Sequence, residues 1–199
     1  MEVLNEWGVN IYKFKLDEND KILDNIMKHM GDIDFNINPK WNCKMSHILS
    51  DQHIDKELNI LKFITNKIKN CISHIPNFKG LTFGKPPPFK DDLWINVYKK
   101  GDYQDVHHHT EPNNIKYSYV YFAKYNHDKD AKLIIGNNKT ARGRSCLNTG
   151  EILFQLTEEK VIHVQQGDLI IFPSYLLHYV EKQESVGPRI TVTGNLYRL

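Results

Sequence analysis

WINVYKKGDYQDVHHH, residues Trp94 to His109, opens as a strand, crosses a Gly-Asp turn at Gly101-Asp102 and ends in consecutive histidines, His107, His108 and His109. Side chains alternate along a strand, so His107 and His109 share one face and His108 takes the other. An H-x-H pair on one face can put two imidazole nitrogens on one metal ion. Far downstream, GDLIIFPSYLLH (Gly167 to His178) uses the same parts: a Gly-Asp turn, a buried strand, a Pro-Ser turn and one histidine. These two segments are expected to be halves of one metal site.

Outward from that stretch the pattern is β. Candidate strands are 93–99, 103–108, 117–124, 132–135, 152–155, 161–164, 168–172, 178–180 and 189–197, split by Gly, Asn and Pro turns. Short strands at this density suggest a sandwich or barrel. They are not separated by helices, which argues against a parallel βαβ sheet. Between two of them, GNNKTARGRS (136–145) is polar and basic. Its Lys139, Arg142 and Arg144 suit a solvated loop, or a lid touching an acidic substrate.

The first third reads differently. VNIYKFKL (9–16) alternates as a strand. Asp17 to Asp20 offers helix caps before KILDNIMKHMG, where Ile22, Leu23, Ile26, Met27 and Met30 share a face and Gly31 is a stop. Residues 36–44 read as irregular. A second amphipathic helix is predicted over 51–74, with Pro76 beyond it. GKPPPF (84–89) is a stiff connector. Helices with one apolar face need a platform, and the sheet is the platform at hand. The expected organisation is therefore one domain over 1–199: a strand plus helical buttress (1–90) and a β core (91–199).

The chain has 199 residues, a net charge of +2 and 40% hydrophobic residues. That balance fits a packed domain and gives no nucleic-acid footprint. No stretch approaches a membrane span. The amino end, MEVLNEWGVNIYKF, has no signal-peptide pattern. Cys43, Cys71 and Cys146 show no zinc or disulfide spacing. The expected setting is the cytosol, and the many Asn, Lys and Ile residues suggest a phage or bacterial source.

Two further residues carry chemistry. His178 follows the buried strand. Arg189 begins RITVTGN, where Arg189, Thr191 and Thr193 share a face. A guanidinium with a hydroxyl two residues on suits a carboxylate ligand. Glu111 competes with His109 as a metal ligand, because His109-x-Glu111 also has the His-x-carboxylate form of a facial triad.

WINVYKKGDYQDVHHH, YSYVYF, GDLIIFPSYLLH and RITVTGN, in that order, resemble the Fe(II)/2-oxoglutarate-dependent oxygenases. The likeness is to their small bacterial and phage members and to prolyl-hydroxylase-like members, whose Gly-to-His spacing matches Gly101 to His107. It covers about Trp94 to Leu199. It implies a double-stranded β-helix, or jelly roll, for that span; with the two amphipathic helices read from periodicity as its buttress, the expected fold is mainly β with N-terminal helices. It implies Fe(II), 2-oxoglutarate and O2 as cofactors. His107 and His178 would be metal ligands, with His109 or Glu111 as the third. Arg189 and Thr191 would bind 2-oxoglutarate, and Tyr98 and Asn96 would contact cofactor or substrate. The implied reaction is hydroxylation of a peptide or protein side chain, prolyl by analogy, or of a small molecule. The alternatives are a jelly-roll binding protein without turnover and a three-histidine dioxygenase that ignores 2-oxoglutarate.

Overall fold

The computed structural model describes residues 1–31, 33, 35–37, 42–46, 60–76, 78, 80–82, 84–85, 90–91, 93–109, 115–137 and 158–198. Its amino end is a hairpin of β1 (Glu2–Glu6) and β2 (Val9–Lys15). The two turn residues, Trp7 and Gly8, have positive φ angles of 53° and 78°, the backbone hand that matches strand twist in tight hairpins. Alternation predicts β2 but not β1, whose polar and mostly exposed residues give no such signal.

Helix α1 (Asn19–Lys28) buries Ile22 and Ile26, with Leu23 and Met30 packed alongside. Two expectations fail here. Met27 is exposed, and the helix is capped by His29 before Gly31 is reached. Its N-cap is Glu18, in a left-handed conformation with no capping side-chain bond. Glu18 instead pairs with Lys21 and with Lys67 of the second helix, at 2.7 Å for Lys67.

Residues 36–44, expected to be irregular, contribute to β3 (Phe35–Ile37) and β4 (Lys44–Ser46), which pair with each other. Helix α2 (Ile60–Ile72) realises part of the predicted 51–74 span; residues 51–59 lie outside the described residues. Short strands β5 (Leu81–Thr82), β6 (Gly84–Lys85) and β7 (Lys90–Asp91) follow. β6 and β7 pair on either side of the proline run, whose prolines also lie outside the described residues.

The remaining strands sit close to their predicted places: β8 (Leu93–Tyr98), β9 (Gln104–His107), β10 (Ile115–Lys124), β11 (Leu133–Asn137), β12 (Glu158–Ile162), β13 (Asp168–Pro173), β14 (Leu177–Val180) and β15 (Arg189–Arg198). The candidate strand at 152–155 is outside the described residues. A nine-stranded sheet runs β1-β2-β13-β10-β15-β8-β4-β3, with β5 on β15, and faces a four-stranded sheet, β12-β11-β14-β9. The pairings are antiparallel. This is the expected double-stranded β-helix.

The large sheet is covered on both faces, which is why WINVY and DLIIF read as unbroken apolar runs. Leu93, Ile95, Val97, Tyr119, Tyr121, Leu169, Ile171, Ile190 and Val192 pack with Ile22, Ile26, Ile64 and Ile68 of the helices. Tyr98, Val120, Phe122, Ile170 and Phe172 pack in the second cluster, with Leu133, Ile135 and Val180 of the small sheet. The helical buttress expected from sequence is therefore the cover of the outer face.

The two Gly-Asp turns share one construction. Gly101 and Gly167 have φ of +95° and +86°, a region glycine occupies freely. Asp102 Oδ2 accepts from Lys99 N at 2.8 Å, and Asp168 Oδ2 accepts from Gln165 N at 2.8 Å. Among the described residues no helix is long and apolar enough to cross a membrane.

Candidate active site

Strands β9 and β14 lie side by side with His107 directly opposite His178. His109 sits just past the end of β9, where its backbone N–H donates to Ser174 O at 2.9 Å. Ser174 in turn donates through N to Lys116 O (3.1 Å) and through Oγ to Ile115 O (2.9 Å). The Pro173-Ser174 turn therefore ties together β13, the start of β10 and the histidine segment. That is the local reason an F-P-S stretch precedes the distal histidine.

The three imidazoles converge. Ring centroids are 4.2 Å apart for His107–His178, 5.0 Å for His107–His109 and 5.1 Å for His109–His178. One nitrogen from each lies within 4.8 Å of the others, a grouping that could hold a metal ion. Two tautomers are set by backbone carbonyls, which can only accept. His107 Nδ1–H donates to Asp105 O at 2.7 Å, and His178 Nδ1–H donates to Leu176 O at 2.9 Å. Both Nε2 lone pairs are left for a ligand.

Burial holds all three rings neutral. It pushes His178 well below the usual histidine range, with His107 and His109 adding to the effect. Burial, then the neighbouring His107 and His108, lowers His109 to about 3. Burial also lowers His107, against the pull of the Asp105 carbonyl. A neutral imidazole is the form that binds metal. Phe172 packs edge-on against His178 at 4.9 Å. Along the same strand, alternation sends Ile170 and Phe172 inward and Ile171 toward the helices.

At the closed end of the same cavity lies Arg189, 0% exposed. Its Nε, Nη1 and Nη2 are buried and meet no hydrogen-bond acceptor in place among the described residues. The guanidinium is boxed by the rings of Tyr98 (4.4 Å), Phe122 (5.3 Å) and Tyr125 (5.8 Å). A buried cation without a counter-charge costs several kcal/mol, and no carboxylate pairs with this one among the described residues, so an anion in the cavity would stabilise it. Beside it, Asn96 Nδ2 donates to Thr193 Oγ1 at 2.8 Å and to Thr191 Oγ1 at 3.4 Å. Asn96 Oδ1 stays buried and unpartnered.

One cavity brings these groups together: His107, His109 and His178 with Arg189, Thr191, Tyr98 and Asn96. Three neutral imidazoles and an orphaned guanidinium fit a divalent metal and a dicarboxylate. Glu111, Lys139, Arg142 and Arg144 lie outside the described residues. His127 and His163 are exposed and apart from the cavity, as expected. Sequence reading assigned no site role to Trp94, Gln104 or Thr193, though it put Thr193 on the face of Arg189; all three also line the cavity. Counting back by twos from Asn96 reaches Trp94, and on by twos from Thr191 reaches Thr193.

Comparison with known proteins agrees with this geometry. The family described as "Putative 2OG-Fe(II) oxygenase" matches residues 92–195. Among curated proteins none matches the chain by sequence. A prolyl-4-hydroxylase of Pseudomonas putida has a TM-score of 0.60 at 13% identity, over 96% of this chain and 94% of its own. The viral collagen prolyl hydroxylase of Paramecium Bursaria Chlorella virus-1, solved with 2-oxoglutarate, has a TM-score of 0.60 at 14% identity, over 95% and 96%. HygX of Streptomyces hygroscopicus, solved with nickel, 2-oxoglutarate and hygromycin B, has a TM-score of 0.66 at 7% identity, over 96% and 83%. At these identities the solved structures establish the double-stranded β-helix fold, and the family match establishes the rest: the chain belongs to the 2OG-Fe(II) oxygenases, whose cofactors are Fe(II), 2-oxoglutarate and O2.

Proposed function

We propose that the protein catalyses Fe(II)- and 2-oxoglutarate-dependent hydroxylation of an unactivated C–H bond in a peptide or protein side chain, prolyl by analogy with its structural neighbours. His107, His109 and His178 hold the metal. Arg189 and Thr191 bind the far carboxylate of 2-oxoglutarate, and Tyr98 and Asn96 complete its pocket. The loop residues Lys139, Arg142 and Arg144 act at the substrate side. Residues 1–199 work as one domain, in the cytosol, a setting that suits the free thiols of Cys43 and Cys71.

The observation that carries this reading is the pairing of Arg189's unpartnered guanidinium with three convergent imidazoles in one cavity. When bound, Fe(II) with 2-oxoglutarate and O2 supplies the oxidant and releases succinate and CO2. The chain's own residues do the rest. The carbonyls of Asp105 and Leu176 fix two imidazole tautomers. The Tyr98, Phe122 and Tyr125 rings hold the guanidinium in place before the cosubstrate arrives. Val120 puts an apolar wall on the cavity, and Phe172 backs the His178 ring.

Succinate release from 2-oxoglutarate with Fe(II) tests the reading. Wild type is expected to release succinate, and His178→Ala is expected to lose it. Absence of both succinate release and a 2-oxoglutarate-dependent thermal shift in wild type would refute it. If Arg189→Ala kept full O2 consumption, the protein would be a three-histidine dioxygenase that does not use 2-oxoglutarate. Fe(II) affinity of His109→Ala and Glu111→Ala identifies the third ligand; the expected loss is at His109.

A further inference from the structure

The floor of the cavity is a two-strand ladder. Along it Tyr98 pairs with Arg189, Asn96 with Thr191 and Trp94 with Thr193. Each step is two residues, so the floor from Tyr98 to Trp94 is ~13 Å long at ~3.3 Å per residue. A five-carbon diacid held by Arg189 would take up the part of that floor nearest Arg189. The outer part ends at Trp94, whose ring centroid lies 6.0 Å from that of His109 and which lines the same cavity.

Two properties of Trp94 point to what it meets. The residue is 9% exposed, and its ring offers an apolar wall beside the imidazoles. Its indole N–H has no hydrogen-bond partner among the described residues, and it is not among the polar atoms sealed from solvent. An indole with an unused donor suits a group that is apolar on one side and carries an acceptor on the other. The charge of the cavity narrows this further. The triad is neutral, and no carboxylate lines the cavity among the described residues. Fe(II), the 2-oxoglutarate dianion and Arg189 would together leave the cavity one positive charge in excess, counting the described residues. An ammonium or guanidinium would be repelled there.

We propose that Trp94 is the specificity-determining residue of this cavity: its ring receives an uncharged aliphatic group and its N–H donates to an amide carbonyl beside the reacting carbon. This rests on the oxygenase reading above. It selects neutral peptide side chains and disfavours lysyl and arginyl ones.

The test is binding, read without turnover. Protein loaded with Ni(II) and 2-oxoglutarate is titrated calorimetrically with a capped neutral Ala-Pro decapeptide and with the same peptide carrying lysine at alternate positions. Wild type is expected to bind the neutral peptide at least tenfold more tightly. Trp94→Phe keeps a ring but loses the donor, and is expected to weaken that binding about fivefold, the worth of one hydrogen bond. Trp94→Ala should weaken it more. Both variants should keep the wild-type thermal shift with 2-oxoglutarate, which shows that they fold and load. The proposal is overturned if the lysyl peptide binds as tightly, if Trp94→Ala binds the neutral peptide like wild type, or if wild type binds neither peptide. The oxygenase reading fails separately, and before any peptide is added, if wild type shows no 2-oxoglutarate shift.

Discussion

Strand β15 shows the molecule's two chemistries on its two faces. Ile190, Val192 and Leu196 point to the helices and join Ile64 and Ile68 in a hydrophobic cluster. Arg189, Thr191, Thr193 and Asn195 alternate with them, are just as buried, and face the barrel. One face gains stability by removing apolar surface from water. The other gives stability up, because it buries a cation and hydroxyls around open space. A strand that is polar on its buried inner face is expected where function outweighs packing, and the cavity lies there.

Substitutions on the two faces should therefore separate activity from stability. The largest effect is expected from Arg189→Met. It removes a charge-assisted contact to the cosubstrate, and succinate release should fall ~100- to 1000-fold, as for loss of a buried charged partner worth ~2–5 kcal/mol. The metal-free protein should melt no lower than wild type, because an unpaired buried cation has gone. A lower melting temperature in Arg189→Met would mean that the guanidinium contributes to the fold, and the contrast between faces would collapse.

Ile68→Ala on the helix side should do the reverse. A large-to-small change in a packed core costs ~2–5 kcal/mol, measurable by urea denaturation. Turnover per folded molecule should be unchanged. A loss of turnover that outruns the loss of folded protein would show that the helices act on the site and do more than cover it.

The triad makes a pH prediction. Its imidazoles titrate below their usual value of 6.5 when folded, with His109 at about 3. The unfolded chain titrates near 6.5, so below that pH it binds more protons than the folded chain. Stability of the metal-free protein is therefore flat above about pH 7 and falls as pH drops through 6 toward 4. Thermal melts of chelator-treated protein across that range check it. His178→Ala should flatten the profile.

The smallest effect belongs to the surface. Glu18 is lowered to about 2 by Lys21 and Lys67, yet it is fully exposed and screened by solvent. Lys67→Met should leave turnover unchanged and shift the melting temperature only slightly. Any stability it removes should be present above about pH 4.5 and fade as pH falls toward 2.

The elements that sequence reading recovered are those with a strong local pattern. β8, β13 and β15 carry apolar or alternating runs bounded by Gly and Pro, and they sit where predicted. β1, β3 and β4 were not legible. β3 and β4 are three residues each, too short for a period, and β4 forms as a strand because Lys44 and Met45 pair with Val97 and Asn96 of β8. Met27 failed because its place on the helical face lies at the edge of the contact. At the site, the spacing of His107 and His109 and the Arg189-x-Thr191 pair could be seen directly. Trp94 went unassigned although alternation from Asn96 reaches it, because nothing in a tryptophan within an apolar strand says how far along that face a cavity extends.

The chain by itself determined which side chains share a face, since alternation along a strand is a local property of the backbone. It could not determine what each face meets. That His107 lies opposite His178, that three rings and no carboxylate surround Arg189 among the described residues, and that the polar face of β15 looks into open space were decided by pairing between strands distant in sequence. Those contacts cost chain entropy and form only when the whole double-stranded β-helix closes, so no short window of residues carries them.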